Sequence, residues 1–414
     1  MEKILETNEI EKFYFIKGPA KINVLRGKVE INGILFDKGE SVVIHKSRSY
    51  ILRIEKNSKI SVIGENDFCI RDAINEEIEV YTDWKKYSSL IVEECANKEK
   101  TCKVIVLGKV DSGKTTFSSM IANTAYLKGM ETYYVDTDLG QKTFGYPGSV
   151  TISKNSGKLF WSTASKSDKF IFIGKLSPVG KESDVIQATE ELIAGIEKGI
   201  IIIDTDGWFG DPLSLNYKFR MIQKIKPDYT VIIRSGQKID LFVKSIFPIT
   251  KIITLNTPPN KASRSKIERK MIRGDKVLSL IESKKSRLLT YGSFFTLGEI
   301  TIGFGNPLSY NELTELSNKI GDKVLYGEDY DEKTVVIVER LKRNYFKDFY
   351  VINTNNLKGK IVSVLNDKGE HIDIGFLTDI NEYGFLIKTS YEKEIKGLYI
   401  GNITIFDFKL ENSD

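Results

Sequence analysis

Hydrophobic and polar positions alternate in three distinct ways along the chain. Between residues 12 and about 61, short apolar runs recur: Phe13-Tyr14-Phe15-Ile16, Val29-Glu30-Ile31, Ser41-Val42-Val43-Ile44 and Tyr50-Ile51-Leu52-Arg53-Ile54. Turn-forming residues at Gly18-Pro19, Gly27, Asn32-Gly33 and Lys38-Gly39 separate them. Strands at roughly ten-residue spacing predict a small β-sandwich or barrel. Between residues 104 and 255 the runs are continuous and rich in β-branched residues, at 133–135, 170–173, 200–203, 230–233 and 251–255, with helical periodicity between them. Unbroken apolar strands alternating with helices predict a mostly parallel sheet covered on both faces. From about residue 296 the β character returns, in runs such as 335–338 and 361–365 with turns at Lys368-Gly369 and Tyr383-Gly384. A polar amphipathic stretch at 83–97 and a charged helical one at 261–285 lie between the regimes. The expected architecture is α/β: a central domain, residues 89–295, flanked by β-rich domains at 1–88 and 296–414.

The central domain opens on a motif that carries chemistry. Gly108-Lys109-Val110-Asp111-Ser112-Gly113-Lys114-Thr115 fits G-x-x-x-x-G-K-S/T in full and directly follows the apolar run 104–107. In such a loop the glycines let backbone N–H groups close on phosphates, the lysine reaches the β and γ phosphates, and the threonine hydroxyl can ligate Mg²⁺. Thr115 and Thr116 start a helical pattern with apolar positions at Phe117, Met120, Ile121 and Ala125, so the phosphates would sit on a helix N-terminus. The central domain is thus predicted to be a P-loop NTPase domain that binds a nucleoside triphosphate with Mg²⁺.

Composition narrows the function further. At 414 residues and 41% hydrophobic content the chain supports real cores, and no apolar stretch is long enough for a membrane span. The N-terminal Met1-Glu2-Lys3-Ile4-Leu5-Glu6 lacks the apolar segment of a signal peptide, so a cytoplasmic or, in a eukaryote, nuclear location is expected. The cysteines Cys69, Cys95 and Cys102 are odd in number and form no C-x-x-C pair, which points to buried thiols and not to a disulfide framework or zinc site. With only His45 and His371 present, both outside the loop segment, a carboxylate must serve as base, with lysine and arginine beside it. The net charge of +5 permits a polyanionic partner without demanding one.

Three further segments supply such groups. Asp136-Thr137-Asp138-Leu139-Gly140-Gln141 follows the second core strand, where carboxylates face a bound nucleotide. Asp138 is the candidate for base or nucleophile positioning and Asp136 for the metal shell. Asp204-Thr205-Asp206-Gly207-Trp208-Phe209-Gly210 ends the fourth core strand, and Trp208 there could stack on a nucleobase, a contact worth about 1–3 kcal/mol. In the run Arg264 to Arg273, Arg269 and Arg273 are one helical turn apart and can contact phosphate together.

With these segments in hand the chain resembles the polynucleotide 5′-hydroxyl kinase family, which includes the kinase subunit of the mRNA cleavage and polyadenylation machinery, the ribosomal RNA-processing 5′-kinase and archaeal RNA kinases. The family's phosphate loop is matched by residues 108–115, its D-x-D-x-G-Q element by 136–141 and the Pro-Gly after it by Pro147-Gly148. Its N-T-x-G-W clasp is represented by residues 204–208 and its R-x-x-x-R lid by Arg269 and Arg273. The resemblance implies transfer of the ATP γ-phosphate to the 5′-hydroxyl of RNA or DNA, in RNA processing or end repair. It implies ATP held by residues 108–116, Mg²⁺ by Thr115, Asp136 and Asp138, and the terminal nucleotide by Gln141 and Trp208. Catalytic roles fall to Lys114, Asp138, Arg269 and Arg273, and RNA-processing proteins are possible partners. Two departures matter: Asp204 replaces the clasp asparagine, adding negative charge near a phosphate site, and Tyr146 stands where proline is common before the Pro-Gly.

Two other readings compete. A GTPase would use the segment 233–240, but Gln237 breaks the guanine-reading N/T-K-x-D pattern. A catalytically silent ATP-binding scaffold of an RNA-processing complex would be free to lose Lys114, Thr115, Asp138, Arg269 and Arg273, and all are present.

Overall fold

The short N-terminal runs pair into two antiparallel sheets. One has the order Glu2–Glu6, Lys59–Gly64, Ala20–Arg26, Ser41–Ile44, and the other Ile34–Asp37, Lys28–Ile31, Ser49–Ile54, Lys12–Lys17, Cys69–Asp72. Ile22, Ile44 and Val62 of the first meet Ile16, Ile31 and Leu52 of the second in one fully buried core, so the fold is the sandwich form of the expectation. The computed structural model describes residues 1–65, 67–142, 144–155, 157–158, 167–236, 238–262, 265–281, 284–340 and 349–408. They form two compact units, Met1–Gly145 with Val150–Asp168 and Glu182–Lys266, and Tyr146–Ser149 with Lys169–Lys181 and Ile267–Asp414.

In the first unit the sandwich leads into a long helix, Asn75–Ala96, which starts earlier than the amphipathic stretch predicts. Glu77 begins it by accepting from the Ile74 N–H, and Tyr81, Trp84, Ser88, Ile91 and Cys95 form its buried stripe at helical spacing. The chain then turns into the phosphate-loop strand, Cys102–Gly108. The strands order as Ser149–Asn155, Thr132–Asp136, Ile200–Asp204, Cys102–Gly108, Tyr229–Arg234, Lys251–Asn256. All pairs are parallel except the first, which is antiparallel. Every residue of Ile200–Asp204 is buried, as the unbroken apolar run requires of a strand covered on both faces.

The cysteine expectation is corrected here: Cys95 and Cys102 are joined in a disulfide, and Cys69 is exposed. The tight return from helix to strand brings their Cα atoms to 5.5 Å, a proximity that the spacing of the cysteines did not signal.

The sandwich is fastened to the core helices by buried polar contacts. Glu30 accepts from the Tyr81 hydroxyl at 2.6 Å and from Lys85 at 2.7 Å, and also pairs with Arg53. Asn32 donates to Ser119 Oγ at 2.9 Å, and its carbonyl accepts from Asn123 at 3.0 Å. Ser119 and Asn123 belong to the helix Lys114–Leu127 that begins at the phosphate loop. The sandwich thereby helps to hold that helix in place.

The second unit is β-rich, as expected. One sheet orders as Lys285–Thr290, Gly384–Thr389, His371–Asn381, Lys360–Leu365, Gly397–Thr404, Phe295–Gly298, and a smaller one as Asn306–Pro307, Val324–Tyr330, Lys333–Val338, Phe349–Asn353. The helix Lys266–Ile281 falls in this unit from Ile267 on. A further helix, Tyr310–Ile320, was not anticipated; Ser309 caps it, and Leu313, Leu316 and Ile320 pack its narrow apolar side. Among the described residues no helix is long and apolar enough to cross a membrane.

Candidate nucleotide and phosphoryl-transfer site

The phosphate loop is shaped by close packing behind it. Gly113 has φ of 100°, and a Cβ there would lie 2.5 Å from the Trp84 ring, so the long helix leaves room for glycine alone. From Gly113 the chain enters the helix at once, the Phe117 N–H donating to the Gly113 carbonyl at 2.9 Å. Val110 and Asp111 span the loop, Asp111 with φ of 55°, and Thr257 Oγ donates to the Ser112 carbonyl at 2.9 Å from outside it. Lys114 is buried and donates from Nζ to the Lys109 carbonyl at 2.8 Å. Thr115 and Thr116 occupy the first turn, which holds no acidic residue, so its N–H groups and dipole favour an anion.

Sheet register gathers carboxylates beside this loop. Asp136 and Asp204 are direct partners across adjacent parallel strands, and Asp204 is also the partner of Val106 on the phosphate-loop strand. Asp136 is enclosed: its Oδ1 accepts from Lys142 Nζ at 3.1 Å and from the Asp138 N–H at 3.0 Å, while Lys142 also reaches the Asp136 carbonyl at 2.6 Å. Asp138 is half-buried, and its Oδ1 accepts from the N–H groups of Gly140 and Gln141 at 3.0 and 2.8 Å, folding the turn that carries Gln141. Asp206 accepts from the Trp208 N–H at 2.9 Å and from the buried Lys218 at 2.5 Å. Asp204 accepts from the Tyr134 hydroxyl at 2.9 Å on Oδ2, and its Oδ1 is buried with no hydrogen-bond partner.

The electrostatic consequences follow from this crowding. Burial first, and the Asp136 charge second, push Asp204 up to about 7 against the pull of Lys114 and of the Thr115 and Tyr134 hydroxyls. Asp138 is raised by burial and by Asp136 and Asp206, which together outweigh the Gln141 amide and Lys114. Burial pulls Lys142 and Lys218 down although each faces an aspartate. A half-buried carboxylate raised above its ordinary range, beside a phosphate loop, is the kind of group that can accept a proton from a hydroxyl nucleophile.

The Asp204–Trp208 turn lies directly on the loop. A Cβ on Gly207 would come within 2.8 Å of the Val110 backbone, so only glycine permits this approach. Trp208 is half-buried and stacks on Tyr217 with ring centroids 6.1 Å apart. Residues 108–116, Asp136, Asp138, Gln141 and Trp208 thus all belong to the first unit, around one edge of its sheet. Arg269 and Arg273 are half-buried on one helix of the second unit. Arg264 and Gln237 lie outside the described residues.

The structure adds residues that no motif singled out. Lys142 and Lys218 supply counter-charge, and Tyr134 anchors Asp204. Arg48, from the sandwich, has Tyr50, Tyr134, Asp204 and Asp111 among its charged or titratable neighbours, and Lys261 has Asp111 and Lys114. Lys142 directly follows Gln141, but only the turn made by Asp138 shows that its ammonium doubles back onto Asp136.

A phosphate loop on an inner strand of a mostly parallel sheet, with carboxylates gathered on the neighbouring strands, defines a P-loop nucleotide-binding domain. Residues 108–283 match the family model of the mRNA cleavage and polyadenylation factor CLP1 P-loop. The chain is 26% identical to a polyribonucleotide 5′-hydroxyl-kinase of Methanocaldococcus jannaschii, over 73% of this chain and 86% of the relative. A polyribonucleotide 5′-hydroxyl-kinase of Thermococcus kodakarensis is 25% identical over 70% of this chain and 83% of its own length. Among solved structures, wild-type Clp1p in complex with Pcf11p (454–563) superposes with a TM-score of 0.66 over 98% of both chains at 11% identity, which establishes a shared fold.

Proposed function

We propose that this chain is an ATP-dependent polynucleotide 5′-hydroxyl kinase that transfers the ATP γ-phosphate to the 5′-hydroxyl end of RNA or DNA. The observation that carries the reading is the half-buried, raised carboxylate of Asp138 at the same sheet edge as a complete phosphate loop. Kinship with named polyribonucleotide 5′-hydroxyl-kinases over most of the chain supports the substrate class.

In this reading the loop amides of residues 108–116 and Lys114 hold the triphosphate, and Asp138 orients the 5′-hydroxyl and receives its proton. Gln141 and Trp208 position the terminal nucleotide, Trp208 offering the ring face that Tyr217 does not cover. Arg269 and Arg273, one turn apart, serve as the lid that neutralises charge on the transferring phosphoryl group. The edge also fits a divalent cation: Thr115 and Asp138 offer hard oxygens, Asp136 offers one that already faces the Lys142 ammonium, and one buried oxygen of the neighbouring Asp204 has no hydrogen-bond partner. Bound at that edge, Mg²⁺ would neutralise phosphate charge. We further propose three domains, residues 1–88, 89–295 and 296–414, and a protein partner, by analogy with Clp1p, which was solved in complex with Pcf11p.

The test is incubation of the purified protein with Mg²⁺, γ-labelled ATP and matched 5′-hydroxyl RNA and DNA oligonucleotides, with Lys114→Ala and Asp138→Asn in parallel. Label on the 5′ end that disappears in both variants supports the kinase and ranks its substrates. Tight ATP binding without transfer to either oligonucleotide overturns it in favour of a scaffold.

A further inference from the structure

Two aspartates stand side by side at the catalytic edge, yet they are differently provided for. Asp136 already holds a cation: the Lys142 ammonium is buried against its Oδ1 and backbone carbonyl, and the Asp138 N–H shares that oxygen. Asp204, its direct partner across the sheet, forms no ion pair among the described residues. One of its oxygens takes a neutral phenol hydroxyl, and the other is buried without a hydrogen-bond partner, with the Thr115 hydroxyl and the Lys114 and Arg48 charges in its surroundings. A carboxylate oxygen in that condition is costly unless something positive arrives.

The neighbours of Asp204 indicate what would arrive. The Thr115 hydroxyl and the Lys114 ammonium both lie close enough to favour its anion, and these are the loop residues assigned to the metal and the phosphates. Among the described residues no group of three or more acidic, histidine or cysteine side chains could hold a metal alone. A magnesium-type ion does not need one, because it uses one or two carboxylates and completes its octahedron with phosphate oxygens and water.

Resting on the nucleotide-binding reading above, we infer that Asp204, paired with Thr115, is the carboxylate that holds the divalent cation of the nucleotide complex, and that Asp136 is a positioning residue neutralised by Lys142. The aspartate found in place of the family's clasp asparagine is then a gain in metal affinity. Its cost is repulsion with Asp136 whenever the ion is away.

The decisive experiment titrates Mn²⁺ into the full-length protein with ADP, following free Mn²⁺ by electron paramagnetic resonance, and separately measures ADP affinity in EDTA. Asp204→Asn preserves shape and an acceptor for Tyr134, so the fold is retained, as far-UV circular dichroism will verify. The expected result is a loss of Mn²⁺ affinity of about 10–100-fold together with tighter ADP binding in EDTA, since a negative charge leaves the phosphate site. A purely structural role for Asp204 would not produce opposite signs in the two measurements. Equal Mn²⁺ affinity in wild type and Asp204→Asn, or a loss confined to Asp136→Asn, overturns the inference. If wild type phosphorylates RNA while Asp204→Asn binds Mn²⁺ normally, only the assignment of Asp204 fails. If wild type binds no ADP, the nucleotide reading fails with it.

Discussion

Buried acids in the two units are treated in opposite ways. In the second unit, Glu328 is almost fully enclosed, and both its oxygens are saturated by the N–H groups of Gly303 and Gly305 and the hydroxyls of Tyr326 and Tyr330. Asp373 there pairs with Lys284 and accepts from Thr389 and Ser390. At the sheet edge of the first unit, Asp136, Asp138, Asp204 and Asp206 crowd together; burial first, and the neighbouring carboxylate charges second, raise Asp138 and Asp204, and one Asp204 oxygen has no hydrogen-bond partner. Complete satisfaction marks a group whose task is to hold the fold. Incomplete satisfaction marks a place prepared for something that comes from outside.

The strongest way to test this division is to remove one carboxylate of each kind. Asp138→Asn keeps the turn acceptor for Gly140 and Gln141 and removes the proton acceptor. Phosphoryl transfer should fall by about 10²–10⁴-fold with little change in nucleotide affinity or melting temperature. Steady-state transfer rates beside calorimetric ATP binding would show it, and an equal loss of both would make Asp138 a structural residue. Glu328→Ala should do the reverse. It leaves the buried Tyr326 hydroxyl without its acceptor and removes that of the half-buried Tyr330 and of two backbone N–H groups, at about 1–3 kcal/mol for a buried group left unpaired, so the urea midpoint should drop. Activity per folded molecule should persist, since Glu328 has no part in the chemistry.

A half-buried imidazole of that unit sharpens the contrast by pH. His371 contacts Ser363 Oγ at 2.8 Å, and burial pulls its imidazole from 6.5 down to about 4. The unfolded chain therefore takes up this proton at higher pH than the folded one. Stability is fully present above about pH 6.5 and is lost as pH falls toward 4, by up to about 3 kcal/mol. Denaturant titrations at pH 7 and 4.5 should show that His371→Gln removes part of the slope. An unchanged slope would mean that the imidazole titrates alike in the folded and unfolded chain.

How much of this was legible before the structure depends on whether the information is contiguous. The phosphate loop reads directly because one unbroken segment supplies both glycines, Lys114 and Thr115, and Asp136 and Asp138 follow from standing at the end of a core strand. The ion pairs Lys142–Asp136 and Lys218–Asp206 could not be read, because each depends on how a turn or a helix swings a flexible side chain back onto a strand end. Likewise, that Asp204 lies between Asp136 and Val106 is a property of strand order, which no local pattern encodes. In the sandwich, Tyr50 to Ile54 was recognisable by its alternation. Glu2–Glu6 carries a single buried residue, Leu5, so it did not signal a strand. The helix Tyr310–Ile320 was missed for a related reason, since its apolar side is no wider than Leu313, Leu316 and Ile320.

The smallest expected effect has the opposite sign and bears most directly on the division between the two regions. If the acidic edge gives up stability in readiness for a cation, relieving its repulsion should make the metal-free protein more stable. Asp204→Asn retains an oxygen for the Tyr134 hydroxyl and removes the charge that faces Asp136, so in EDTA at pH 8 it should stabilise the protein by about 1 kcal/mol. The comparable change in the second unit, Asp373→Asn, breaks a satisfied pair with Lys284 and should destabilise. Matched thermal melts of the two variants would reveal this difference in sign. If Asp204→Asn instead lowers the melting temperature as Asp373→Asn does, then Asp204 belongs with the structural acids, and its bare oxygen is not a site held in readiness.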